Sequence, residues 1–387
     1  MVGTTRGFGG SDFVEGRHRR HLVGETVPDH DLLVTGYRET KEFLGEVRLS
    51  RAAVSERITP RGPALRMSVT EMDSPVHTRI RGLVGGAFSA RRSERLRPLV
   101  ERTAEQLLGE LVRSGPTADL VTGFAPLAFT AHCELLGVPV DRREPVWRRS
   151  VDRLAAVDAE QTYRAELRLH DEVSDVLDRG GLPPGLLADL VAAHRDAGLL
   201  TATELTGVAA SLFFDGHALA TAQIGNAALA VLTRPALHAE LREDRGLLDG
   251  VIEESLRHSP SVTLSMARIA TSDLDLGGTR VKAGQRVVSA IPLANRDPEV
   301  FDSPHEFDPS RQANRRHLTF GRGAHHCVGA HLTRIVVRAA LGALLDLPAR
   351  PKLAVPEEEL AWYASPTMRG LKALPVRWNV ASGGTDG

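Results

Sequence analysis

Cysteine is nearly missing. The 387 residues carry only Cys133 and Cys327, too few for a disulfide framework, and this fits a reducing cytoplasm. Aromatic side chains make up only 4%, so a pocket that packs an aliphatic skeleton is expected over one that stacks flat polyaromatic molecules. Charge excess of either sign is absent too: 48 basic against 49 acidic residues leave a net charge of −1, without the basic excess of nucleic-acid binders. Lysine is scarce beside arginine, the bias of a GC-rich bacterial coding sequence. Met1–Arg20 is rich in Gly and Arg and lacks the apolar core of a signal peptide, so the expected location is the cytoplasm. The one long apolar run, Leu205–Thr233, is broken by Asp215, His217, Gln223 and Asn226 and has no aromatic belt. It reads as a buried helix, not a membrane span.

Against these absences stands one unusual stretch, Phe320-Gly321-Arg322-Gly323-Ala324-His325-His326-Cys327-Val328-Gly329. Its glycines permit the positive φ of a tight loop. The apolar residues that follow, from Leu332 through Ile335, Val336, Ala339 and Ala340 to Leu344, repeat at helical spacing. Cys327 therefore sits at or just before a helix N-terminus, where free N–H groups and the helix dipole stabilise a thiolate. A thiolate so placed can be an axial ligand of haem iron. Two other readings fit the same residues: an inert buried thiol, and zinc held by His325, His326, Cys327 and His331. Zinc usually takes its ligands from separated pairs, and the second cysteine is far away in sequence.

The pattern F-G-x-G-x-H-x-C-x-G resembles the haem-binding loop of the cytochrome P450 family. The resemblance implies a mainly α fold with small β-sheets, as a single domain over 32–378 with a long central helix above haem b. Residues 1–31 would be a partly flexible extension and 379–387 a tail. It implies that Cys327 is the proximal iron ligand, with Phe320 beside the sulfur, Gly329 closing the loop, and His325 reaching a propionate. Further stretches agree. Asp73-Ser74-Pro75 marks a helix start, and His77 and Arg81 share one face of that helix; in the family such a pair binds propionates. As two residues of an ordinary surface helix they would simply be solvated. Arg268 matches another propionate partner, and Glu254 with Arg257 matches the family's E-x-x-R pair. Thr201 and Glu204 form a capping box, opening a helix that runs to Arg234-Pro235.

In that central helix the family usually carries Ala-Gly-x-acid-Thr. Here the residues are Asp215-Gly216-His217-Ala218-Leu219. The resemblance makes Gly216 the glycine that opens space for dioxygen, while Ala218 and Leu219 replace the acid and the alcohol. At about 100° per residue, His217 and Thr221 point about 200° away from Leu219, and Asp215 lies within about 40° of it. Asp215 is thus the ionisable residue placed to look toward the iron; a purely structural hydrogen bond is its other reading. The pocket lining implied by the family comprises Leu65, Val69, Phe213 and Phe214, with Val262, Leu264 and Thr367 from later segments. The implied activity is monooxygenation of an apolar small molecule of bacterial secondary metabolism, a terpenoid among the candidates. Dioxygen and two electrons from a ferredoxin-type partner would be consumed; neither nucleic acid nor membrane is expected as a partner. A peroxide-driven or nitrogen-oxide-reducing haem-thiolate enzyme is the alternative. A non-catalytic haem-based sensor is another, although no effector domain is visible.

Overall fold

The computed structural model describes residues 31–58, 68–155, 158–363, 365 and 367–378. The chain enters through strand β1 (Leu32–Val34) and the amphipathic helix α1 (Tyr37–Gly45), followed by β2 (Leu49–Ser50) and α2 (Ala52–Ile58). After a 3₁₀ turn at Val69–Glu71, α3 (Val76–Gly85) starts directly behind the Asp-Ser-Pro cluster. Helices α4 (Ala90–Glu94) and α5 (Arg97–Arg113) come next. A short strand that the sequence pattern hides in a loop, β3 (Thr117–Asp119), precedes α6 (Leu120–Leu136). Asp119 caps α6 by accepting from the N–H groups of Val121 and Thr122, and Gly137 ends it at φ 75°, where glycine is unstrained. Helices α7 (Val140–Ala155), α8 (Ala159–Asp178) and α9 (Leu186–Arg195) carry the charged middle of the sequence on their outer faces.

The expected long helix is α10 (Ala202–Leu232). Its capping box is formed: Thr201 Oγ1 accepts from Glu204 N at 3.1 Å, and Glu204 Oε2 accepts from Thr201 N at 2.9 Å. Its 31 residues span roughly 45 Å. Helices α11 (Pro235–Glu243) and α12 (Leu248–His258) follow, then α13 (Ile291–Ala294) and finally α14 (Ala330–Asp346). α10 packs against α6, α8, α12 and α14, which explains why it is apolar almost all round. The amides that interrupt its apolar run are tethers. Gln223 accepts from Ser261 N at 2.9 Å, and Asn226 donates to the carbonyls of Ser259 and Arg369, both at 3.1 Å. Among the described residues no helix is long and apolar enough to cross a membrane.

The β structure is small. Strands β4 (Arg268–Ala270) and β7 (Arg286–Ser289) join β1 and β2 in a sheet of order β1-β7-β4-β2, with β1 and β7 parallel. Strands β5 (Leu274–Leu276) and β6 (Thr279–Val281) make a hairpin through Gly277 and Gly278, both at positive φ, as a tight two-residue turn requires. The stretch Gly370–Trp378 pairs briefly with the segment around Trp362. It then contributes β9 (Pro375–Arg377), which lies between β3 and β8 (Lys352–Leu353). One continuous core runs through the helices, and a second cluster around Phe43, Val287 and Phe301 sits under the β1 sheet. The fold is mainly α with small sheets, as the sequence implies.

Candidate active site

Cys327 is held by its own loop. Gly321 and Gly323 take φ values of 69° and 71°, the left-handed conformation for which glycine is needed. Cys327 N donates to Phe320 O at 2.8 Å, closing the turn. Gly329 caps α14 and gives its N–H to the sulfur. Arg334, one turn into α14, lies 4.7 Å over the Phe320 ring and grips Glu253 of α12 through Nε (2.5 Å) and Nη2 (3.0 Å). Helix placement alone does not yield a thiolate here. Burial pushes the Cys327 thiol up, and the Gly329 N–H, Arg81 and Arg334 only oppose that rise. A bound cation is what deprotonates such a group outright. The zinc reading fails: His331 is hydrogen-bonded to Glu94 at 2.7 Å, and no metal-holding group of three His, Cys, Asp or Glu occurs among the described residues.

Behind the loop, Glu254 and Arg257 form a bidentate pair at 2.7 Å, both 0% exposed. Arg257 also donates to the carbonyls of Asn295, Pro304 and Glu306, and Glu254 accepts from Asp308 N at 2.8 Å. The pair therefore knots the irregular segment 295–308 onto α12.

Beside Cys327 five cationic or basic groups converge. His77 stacks on His325 with ring centroids 4.1 Å apart, and the charges of Arg51, His77, Arg268 and Arg81 act together on His325. Burial, then those charges, pushes His325 down to about 2. Burial followed by the Arg268 charge pushes Arg51 down to about 9. The acids countering these two arginines are Asp73 for both, Asp215 for Arg51 and Glu46 for Arg268. Buried His77 Nε2, Arg51 Nε and Arg268 Nε have no hydrogen-bond partner among the described residues. Arg81 donates to His326 O, and Arg268 donates to the carbonyls of Phe43 and Leu44 at the end of α1. Arg51 was not foreseen: nothing in the stretch Leu49–Val54 marks it, and only the packing of α2 brings it here.

The opposite wall is α10. Asp215 and Leu219 are exposed although they sit midway along a packed helix, Leu219 by 38%. The space they face is internal, so Asp215 has accessible surface and is nevertheless strongly desolvated. Burial, then Glu71, raises it to about 6, against Arg153 and the Ser68 hydroxyl. Asp215 also acts on Arg51 and on Cys327, so it looks onto the same space as both. His217 points away, its ring centroid 5.4 Å from that of Phe129 and 5.5 Å from that of Trp147.

Several expected positions need correction. The space beside Gly216 belongs to His132, whose imidazole a Cβ there would overlap; this glycine permits close approach of α6 and does not open a dioxygen space. Phe213 is turned into the core against His132, because it lies about 200° round the helix from Asp215. Val69 (7% exposed) belongs to the main core, and Leu264 (8%) packs with Val288 and Ala290. Val262 and Thr367 stay open and adjacent, joined through Thr263 N to Thr367 O at 3.1 Å. Leu65 and the Phe214 side chain lie outside the described residues. A separate cavity of about 470 Å³, lined in part by Arg91, Arg92, Arg95 and Glu134, shares no residue with this site.

Residues 186–347 match the family model for cytochrome P450. The chain is 37% identical over 367 residues to the cytochrome P450 monooxygenase PikC of Streptomyces venezuelae, covering 92% of this chain and 88% of that one. The chain belongs to the cytochrome P450 family. This P450 is also 34% identical to the mycinamicin IV hydroxylase/epoxidase of Micromonospora griseorubida, covering 89% of each chain. Among solved structures, the tirandamycin C-bound P450 monooxygenase TamI superposes with a TM-score of 0.82 at 36% identity, covering 90% of this chain and 89% of that one. This P450 is an enzyme of the monooxygenase class, and its cofactor is haem, iron protoporphyrin IX. The site fits that group. A half-buried thiol shares its space with Asp215 of α10, and basic groups whose nitrogens lack a partner among the described residues suit two carboxylates.

Proposed function

We propose that this P450 hydroxylates or otherwise oxidises an apolar small molecule of secondary metabolism, with electrons supplied by a ferredoxin-type protein. The balance for hydroxylation is RH + O₂ + 2e⁻ + 2H⁺ → ROH + H₂O. Bound haem supplies dioxygen binding and electron transfer. In this reading Cys327 ligates the iron, with Gly329 N–H on its sulfur and Phe320 beside it. His77, Arg81, Arg268 and His325 hold the propionates, and Arg51 joins them. Val262, Thr367 and Leu219 form the apolar side of the pocket. The relative named as a mycinamicin IV hydroxylase/epoxidase supports a secondary-metabolite substrate.

The observation that carries this reading is the open stripe of α10. Among the described residues its only ionisable side chain is Asp215, raised to about 6, where an acid is poised to give up a proton near neutrality. Ala218 and Leu219 stand where the family keeps its acid and alcohol, and neither holds a proton to give. Asp215 therefore supplies protons at its Oδ atoms. Two measurements test the proposal. The reduced protein with carbon monoxide should show the thiolate-type Soret band, lost in Cys327→Ser and kept in Cys133→Ser. Apolar small molecules, terpenoids among them, should shift the ferric spin state where charged hydrophilic metabolites do not. A neutral-imidazole band in folded wild type, or the reverse ligand preference, overturns it. Turnover with hydrogen peroxide faster than with a ferredoxin chain would instead favour the peroxide-driven enzyme.

A further inference from the structure

The one hydroxyl on Asp215's face of the central helix, Ser211 one turn back, gives its proton to Val208 O at 2.9 Å. Thr221 has a buried Oγ1 on the far face with no partner among the described residues, and His217 is held neutral, pushed down to about 3 by burial. The hydroxyl that bonds Asp215 comes from across the space. Ser68 Oγ donates to Asp215 Oδ2 at 3.5 Å, a long bond between residues 147 apart in sequence. The same Oγ shares a hydrogen bond with Thr70 Oγ1 at 2.7 Å and accepts from Thr70 N at 3.2 Å. Thr70 itself is half-buried.

The segment bearing these hydroxyls is clamped. Arg51 Nη1 donates to Thr70 O at 3.0 Å, while Asp73 accepts from Ser50 Oγ (2.5 Å) and Arg51 N (3.1 Å). Val69, between the two hydroxyl residues, is anchored in the core. The charged groups facing Asp215 are Glu71 on this segment, Arg51 at the start of α2, Arg153 on α7 and Glu166 on α8, with the Cys327 sulfur opposite.

We propose that Ser68 and Asp215 together rebuild the alcohol–acid pair that α10 lacks, with Thr70 as the next hydroxyl outward. This rests on the reading of Asp215 as proton source. When Asp215 gives up a proton, it takes one from Ser68 Oγ, which takes one from Thr70 Oγ1, which takes one from water. Each hydroxyl ends with the proton count it began with, one solvent proton enters per passage, and no electron moves. Ser68 and Thr70 are positioning residues, acting through Asp215.

The test uses the haem-loaded protein and two readouts. The first is the infrared titration of the protonated carboxyl band that Asp215→Asn abolishes. Ser68→Ala should move its midpoint above the wild-type value, because a hydrogen bond favouring the carboxylate is lost, and Ser68→Thr should restore it. The second is the share of consumed dioxygen released as hydrogen peroxide, with a plant ferredoxin and its reductase as electron source. That share should rise several-fold in Ser68→Ala, rise in Thr70→Val, and return in Ser68→Thr. An unmoved midpoint and peroxide share in both Ser68→Ala and Thr70→Val overturns the proposal, as does failure of Ser68→Thr to rescue. If Asp215→Asn raises the peroxide share and Ser68→Ala does not, only the pairing with Ser68 falls. If Asp215→Asn leaves it unchanged, the reading of Asp215 falls as well.

Discussion

Asp215 shows how one side chain can be both a cost to the fold and a tool for chemistry. Its carboxyl is raised from 3.8 to about 6 by burial and by Glu71. A carboxyl raised in the folded state binds its proton more tightly there than in the unfolded chain. Its contribution to stability is therefore fully present below its unfolded value and is lost as pH rises through about 6. Asp215→Asn should leave the melting temperature close to wild type under acid conditions and raise it above pH 6, where the wild type buries a charge. Thermal melts across that window check this; a gain confined to acid pH would contradict the assignment. The same titration predicts that proton delivery fades through the same pH window in wild type. In Asp215→Asn the peroxide share should be high and independent of pH. Cys133 is the contrasting case, a buried thiol that desolvation pushes up to about 12, where it is inert.

Among the elements, α10 is shaped by its neighbours as much as by its cofactor face. Gly216 lets α10 close on α6, where His132 donates through Nε2 to Leu212 O at 2.6 Å. Gly216→Ala should cost about 1–3 kcal/mol, the usual penalty of overpacking, read by chemical denaturation. Unchanged stability with failed dioxygen chemistry would return this glycine to the iron side. The knot on α12 is a second element-scale test. Glu254→Ala strands the Arg257 guanidinium, which is 0% exposed, and breaking a buried pair costs about 3–5 kcal/mol. The variant should be haem-poor or insoluble, because segment 295–308 leads directly into the Cys327 loop. A stable, fully haem-loaded Glu254→Ala protein would show that the pair is dispensable.

For the whole molecule, the three arginines that meet His77 and His325 beside Cys327 set a charge requirement on the cofactor. Arg51, His77, Arg81, Arg268 and His325 gather from α2, α3, β4 and the Cys327 loop. Reconstitution of haem-depleted protein with the dimethyl ester of haem, which lacks both carboxylates, should be at least about tenfold weaker than with haem. A single charged hydrogen bond contributes about 1.5–3 kcal/mol, which is enough for that factor. Equal affinity would mean that the cluster serves only the protein. Because ligand binding to the folded state alone adds stability by mass action, the melting temperature of the two reconstituted forms should follow the same order.

What the sequence determined by itself was local. The positive-φ glycines of the Cys327 loop, the capping box at Thr201 and the Glu254–Arg257 spacing depend on residues within a turn of one another, and all appear where the chain implies them. Helical angle alone separated Asp215 and Leu219 from His217, because 3.6 residues per turn holds whatever packs outside. Tertiary structure decided the rest. Gly216 and Phe213 face α6 because helix contact fills one side of α10, and no periodicity says which neighbour fills it. Strand β3 exists only because β9 comes back to pair with it. Arg51 and Ser68 enter the site through contacts that span most of the domain, and a single residue in an unmarked stretch carries no local trace of such a partner.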